Sequence, residues 1–334
     1  MFLARKMPYL HHLTVYSGKL HVPSCNRIEF LNFPRDLRSL TWEFSDDVDN
    51  VLDTSHLVEA IARAKQLEHV EISVMNVTFS ELDLQPLVTL PRLASLVVPI
   101  EIESPLPLRD MSALRRVTLF RLDDADKELE LFSGKLPWTS LTIPDLSAAG
   151  WRAAATALPS LTWLDASLVG GTTADLDAID AFATRLTTLR FAVLSIDPDW
   201  VIDGNLLAGK LAQFTRLQSF KYYEVNDEVI DDRQIFVVLE RMIELIELDL
   251  FNCEKLRMLN FLDTEHMRTK LQTLELSRLN IVGVKKNLIL LHRMRALTRL
   301  VLARAFTSPI SSTHVMAFEP ESGLFPLLDD FQFF

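Results

Sequence analysis

One spacing of apolar residues runs the length of the chain: an apolar position, two residues, a second apolar position, one residue, a third. It appears as Leu10-Leu13-Val15, Leu37-Leu40-Trp42, Leu67-Val70-Ile72 and Leu93-Leu96-Val98. It continues as Leu114-Val117-Leu119, Trp138-Leu141-Ile143, Leu161-Leu164-Ala166 and Leu186-Leu189-Phe191. The last five copies are Leu217-Phe220-Tyr222, Leu245-Leu248-Leu250, Leu271-Leu274-Leu276, Leu297-Leu300-Leu302 and Leu328-Phe331-Phe333. Twelve intervals between positions 10 and 328 give a mean period of about 26 residues, with extremes of 21 and 31. The second and third apolar positions alternate with polar ones, the period-2 signature of a half-buried strand. Prolines such as Pro8, Pro91, Pro159 and Pro326 stand just before the first position, where they end a preceding helix and favour extended entry.

Between these strands the pattern changes to amphipathic helix. The stretch Asp53 to Gln66 opens on cap candidates Thr54 and Ser55 and sets Leu57, Ile61 and Ala64 on one side. Asp145 to Ala157, Ala174 to Arg185 and Asp231 to Ile243 read the same way. No strand-plus-helix unit of this size buries its apolar face alone, so neighbours must stack. Helices need roughly 8–10 Å between axes and paired strands about 4.8 Å. The stack must therefore bend, with strands inside. The expected fold is an α/β solenoid (horseshoe) with a concave parallel β-sheet, convex helices and about thirteen irregular repeats. A closed barrel of eight strand–helix units does not accommodate thirteen. A doubly wound sheet would show a Gly-x-Gly-x-x-Gly turn, which nine glycines do not provide.

The unit Leu245-Ile246-Glu247-Leu248-Asp249-Leu250-Phe251-Asn252-Cys253-Glu254-Lys255-Leu256 resembles the cysteine-containing leucine-rich repeat typical of F-box proteins. Cys253 falls where many such repeats carry an Asn or Cys bonded into the adjoining loop, which implies a buried structural thiol. The same position elsewhere holds Gly18, Ser45, Met75 or Leu122, so the ladder is mostly missing. Degenerate repeats of uneven length are similar to those of fungal F-box and leucine-rich-repeat proteins. That resemblance implies substrate recognition for an F-box-type ubiquitin ligase. The adaptor would dock only if an F-box lies outside this chain, because the first repeat begins by Leu10. Neither end carries the polar cap a solenoid needs. The expectation is one solenoid domain over 1–334, truncated at both ends. An alternative is regulation of a small GTPase by a crescent similar to Ran GTPase-activating proteins, whose repeats are more regular and richer in Asn.

Charge narrows the partners. Thirty-four Lys and Arg against 45 Asp and Glu leave a formal charge of −11, which disfavours nucleic acid and anionic membrane surfaces. Two cysteines, Cys25 and Cys253, make no disulfide framework. The first residues lack a secretory apolar core, and the stretch Ile235 to Leu250 is interrupted by charges. The expected setting is intracellular, cytoplasmic or nuclear. In that setting Asn76-Val77-Thr78 is no glycosylation signal, and Ser308-Pro309 reads as an ordinary turn.

No catalytic, metal or cofactor motif emerges, so the chain is read as a non-enzyme. His11, His12 and His21 lack the partners and spacing of a zinc site. Acid clusters at Asp46-Asp47-Asp49, Asp123-Asp124-Asp126, Asp197-Asp199 and Glu224 to Asp232 do not fit a calcium loop. Each follows a repeat strand, so together they would form an acidic rim; singly, they read as helix caps. The polar-phase strand positions point away from the core and form the candidate partner-binding face. Its central residues are Tyr16, Arg116, Phe120, Trp163, Asp165, Arg190, Lys221, Tyr223, Asp249, Phe251 and Arg299. Aromatic and arginine side chains of this kind dominate protein-binding hot spots. A protein partner on this face or on the acidic rim is the expected ligand.

Overall fold

A computed structural model describes residues 9–17, 33–44, 55–74, 83–98, 102, 104–119, 122, 125–195, 199, 201–224, 229–307 and 327–333. The chain divides into two compact units, Met1–Leu161 and Thr162–Phe334. The first carries strands β1 (His12–Ser17), β2 (Ser39–Phe44), β3 (His69–Val74), β4 (Ser95–Val98), β5 (Arg116–Leu119) and β6 (Ser140–Ser147). The second carries β7 (Trp163–Gly170), β8 (Thr188–Ser195), β9 (Ser219–Tyr223), β10 (Glu247–Phe251), β11 (Thr273–Ser277), β12 (Arg299–Ala303) and β13 (Asp330–Phe333). Within each unit the strands lie parallel and in sequence order, each pairing with the next. Among the described residues, thirteen strands stand where thirteen copies of the motif predicted them. Each unit is an α/β stack of strand-plus-helix repeats built on the leucine-rich motif, with a parallel sheet in sequence order.

The register is fixed by a repeated entry bond. At the entries to β2–β6 and β8–β13, the residue before the strand and the strand's first residue both donate to one carbonyl of the preceding repeat. Arg38 and Ser39 bond to His11 O, Arg115 and Arg116 to Ala94 O, and Gln272 and Thr273 to Ile246 O, at 2.8–3.1 Å. This shared acceptor satisfies both donors and sets each of these strands in residue-for-residue register with the last. The first apolar position of the motif sits directly behind that entry. Leu37, Leu67, Leu93, Leu114, Leu161, Leu186, Leu217, Leu245 and Leu271 are all fully buried. The second and third positions follow them inward, while the residues between face outward.

The helical side shows where backbone rules override a simple 3.6 period. The segment expected to be helical from Asp145 stays in β6 until Ser147, because Leu146 still packs inward as strand. The helix Ala148–Ala157 begins only where the Ser147 hydroxyl accepts the Gly150 N–H. The segment expected as a helix over Ala174 to Arg185 is a 3₁₀ helix, Thr173–Phe182. Its buried Leu176, Ile179 and Phe182 are three residues apart, which matches three residues per turn. Asp232–Arg241 follows the expected amphipathic pattern, closed by an Asp231–Gln234 capping box. Of the first expected helix, Ser55–Ala62 is described; Asp53 and Thr54 lie outside the described residues. Among the described residues no helix is long and apolar enough to cross a membrane.

Candidate functional site

In the second unit, pairing in register stacks equivalent outward positions into rows. One row runs Asp165, Arg190, Lys221, Asp249, Glu275, Val301 and Gln332. A row on the entry side runs Trp163, Thr188, Ser219, Glu247, Thr273, Arg299 and Asp330. A row on the exit side runs Ser167, Ala192, Tyr223, Phe251, Ser277 and Ala303. Seven of the predicted face residues, from Trp163 to Phe251, are thereby collected on four neighbouring strands, β7 to β10. Arg299 stands farther along, on β12.

The central row is paired internally. The Arg190 guanidinium lies 5.6 Å from the Trp163 ring centre and reaches Asp165 Oδ2 at 3.5 Å. Burial raises the Asp165 pKa, and the charges of Arg190 and Lys221 oppose that rise. Lys221 Nζ donates to Asp249 Oδ2 at 3.0 Å, with the two side chains only 22 % and 15 % exposed. Arg299 bonds Asp330 Oδ2 through Nε at 3.0 Å and pairs with Glu275 on its other side. Glu247 accepts a hydrogen bond from the Ser219 hydroxyl at 3.0 Å.

The exit-side row carries no charge. Tyr223 and Phe251 meet with ring centres 6.1 Å apart and planes at 59°, a tilted aromatic pair. Burial, then the carboxylates of Asp249 and Asp165, raise the Tyr223 pKa, so the phenol is neutral and a donor near neutral pH. Small residues Ala192, Ser277 and Ala303 flank the pair. Arg278, just past β11, places its guanidinium carbon 5.1 Å from the Phe251 ring centre. The motif did not single out Arg278. Its signal is a positive-φ position repeated every 26 residues, at Asn252 (φ 61°), Arg278 (φ 52°) and Arg304 (φ 53°).

Of the remaining predicted face residues, Arg116 is exposed on β5 in the first unit, opposite Ser95 and Ser140. Tyr16 on β1 pairs with Glu43, and its side chain lies outside the described residues. Phe120 also lies outside them. Elsewhere on the first unit's face, His69 bonds the Ser95 hydroxyl at 2.9 Å and sits 3.7 Å from Glu71.

The acidic rim is corrected in part. Glu224 is buried, 4 % exposed, and belongs to the loop core. Its Oε1 accepts the Ile230 N–H at 2.7 Å, the Val229 N–H at 3.3 Å and the Tyr222 hydroxyl at 3.4 Å. Burial lifts its pKa to about 7 against those bonds. Asp231 caps a helix, and Asp232 Oδ1 accepts the N–H groups of Arg257 and Met258. These acids hold the backbone together. Asp46, Asp47, Asp49, Asp123, Asp124 and Asp197 lie outside the described residues, as do His21, Cys25, Asn76 and Ser308.

Cys253 is fully buried, with its thiol on Phe251 O at 3.5 Å and its pKa pushed well up by burial. The equivalent Leu279 and Ala305 are also buried, so the position needs bulk more than a donor. Among the described residues no group of His, Cys, Asp and Glu could hold a metal ion.

No family model matches the chain, and no curated protein matches it. Among solved structures it is similar to the leucine-rich repeat-containing protein LegL7 from Legionella pneumophila. The identity is 14 % over 96 % of this chain and 90 % of that one, with a TM-score of 0.41. It is also similar to the protein of a TLR13–ssRNA13 complex, at 14 % identity and a TM-score of 0.36. There it covers 98 % of this chain and 53 % of that one.

Proposed function

We propose that the chain is a protein-binding scaffold whose partner seats on the outward sheet face of the second unit. The observation that carries this reading is the cluster of Trp163, Arg190, Tyr223 and Phe251 on four adjacent strands. A partner removing this cluster from water would gain from three aromatic side chains and a stacked guanidinium, the groups that contribute most at protein interfaces. A catalytic role would need a nucleophile or base free to react, whereas the charged groups here are tied to one another. Reception of substrates for an F-box-type ubiquitin ligase is the particular form of this role that the repeat resemblance implies.

The test compares partner capture in cells by the wild-type chain, a Trp163→Ala/Tyr223→Ala variant and a helix-side Phe236→Ala control. Loss of the same partners from the first variant alone, with its melting temperature nearly unchanged, supports the face. Equal capture by all three sinks it.

A further inference from the structure

The exit edge of the same face points to the chemistry of the partner. Every carboxylate in the two charged rows is engaged: Asp165 by Arg190, Asp249 by Lys221, Glu275 and Asp330 by Arg299, and Glu247 by Ser219. The cations of those rows are used up in the same contacts. Arg278 and Arg304 are different. Both are exposed, and neither joins an ion pair among the described residues. They follow Ser277 and Ala303, which face each other across β11 and β12, and the Arg278 N–H bonds Ala303 O at 2.8 Å. Their backbones are therefore about 4.8 Å apart. Among the described residues of the loops after β10, β11 and β12, Glu254 and Lys255 cancel in formal charge, so these three loops are locally positive on a chain of net −11.

Their conformation adds a second observation. Both arginines hold positive φ, which costs an ordinary side chain on the order of 1 kcal/mol. Asn252 occupies the same position one repeat earlier and offsets that cost by donating from its side chain to Glu224 O at 2.9 Å. Among the described residues Arg278 makes no such bond; its guanidinium lies instead over Phe251. Two long cations stand where Asn or Gly would fit better, at the rim of an apolar strip formed by Tyr223 and Phe251.

Resting on the proposed binding face, we infer that Tyr223, Phe251, Arg278 and Arg304 dock a peptide segment of a partner protein in which an apolar side chain is flanked by carboxylates. The apolar side chain lies against the two rings among the small residues of the exit row. The flanking carboxylates meet the two guanidinium groups, which can each take one through paired N–H donors.

The experiment selects a phage-displayed library of random 12-residue peptides against the full chain. Winners are labelled with fluorescein and titrated by polarisation. Enrichment of Asp and Glu within three residues of Trp, Phe or Leu is expected. An Arg278→Glu/Arg304→Glu variant should weaken those peptides about tenfold or more, and raising NaCl from 0.05 to 0.5 M should weaken the wild-type interaction in the same direction. An Arg278→Gln/Arg304→Gln variant, which adds no like charge, should give an intermediate loss if the reversed variant is unstable. Winners without acidic bias, acidic winners indifferent to both arginine variants, no winners at all, or tighter arginine-dependent binding of a single-stranded 12-nucleotide RNA would overturn the inference. The wider face is judged separately. Tyr223→Ala/Phe251→Ala abolishing binding of peptides that ignore the arginines keeps the face and rejects only the acidic preference; winners indifferent to that variant too reject both.

Discussion

The buried carboxyl of Glu224 gives the sharpest quantitative expectation. Its pKa is raised from an ordinary 4.5 to about 7, first by burial, against bonds from Ile230, Val229 and Tyr222 that favour the ionised form. The native state therefore holds a proton on this group, between those two pH values, that the unfolded chain has released. Stability must fall as pH rises through that window. A rise of this size is worth about 3 kcal/mol of preference for the neutral form once pH exceeds 7. Glu224→Gln removes the titration and keeps the oxygen that accepts the Ile230 and Val229 N–H groups. Its amide nitrogen takes the place of Oε2, which is buried and finds no hydrogen-bond partner among the described residues. That costs roughly 1–3 kcal/mol, but equally at every pH. The assay is urea unfolding at pH 5.0 and 8.5, followed by tryptophan fluorescence; Trp163 lies in the same unit. Stability of the variant relative to wild type should improve by about 2.5 kcal/mol between the two pH values, a midpoint change on the order of 1 M urea. A difference that stays constant within about 0.5 kcal/mol refutes the buried-neutral reading, because every other titrating group is common to both proteins.

Three further outcomes follow from the packing. Leu248→Asp places a charge at a fully buried strand position and should cost at least about 4 kcal/mol; a wild-type melting curve would contradict the repeat assignment. A double-mutant cycle with Lys221→Met and Asp249→Asn should give a coupling above about 1 kcal/mol, since both side chains are largely covered; a coupling near zero would mean the pair is solvated. Cys253 should resist a thiol reagent in the native protein and react once urea unfolds it, read by mass spectrometry of its peptide; rapid native labelling would deny its burial.

The strands were legible because stacking forces one residue type into one place. An apolar side chain at Leu245, Leu248 or Leu250 has no alternative to the core, so the spacing survives even where intervals stretch from 21 to 31 residues. Helix starts were less legible. The start at Ala148 depends on one hydroxyl, that of Ser147, and the 3₁₀ segment depends on apolar spacing of three where a helix reading tolerates three or four. Glu224 was hidden among acids of identical composition. All three accept backbone N–H groups, and only the burial of Glu224 separates it from Asp231 and Asp232. Arg278 was hidden for another reason: its value lies in φ, and φ has no one-residue signature unless Gly or Asn takes the place.

In-register parallel stacking also explains why recognition should sit at the exit row. Equivalent residues of successive repeats lie side by side, so like charges at one motif position become neighbours. Arg190 beside Lys221, and Asp249 beside Glu275, are two such pairs. Each member is relieved by an opposite charge: Asp165 for Arg190, Asp249 and Lys221 for each other, and Arg299 for Glu275. A partner that took hold of these groups would first have to break those contacts and leave a half-buried charge uncompensated, which offsets most of what it gained. The rings of Tyr223 and Phe251 carry no such obligation, and neither do Arg278 and Arg304 at the strand exits. The same rule that closes the centre of the face to ionic recognition leaves its exit edge open.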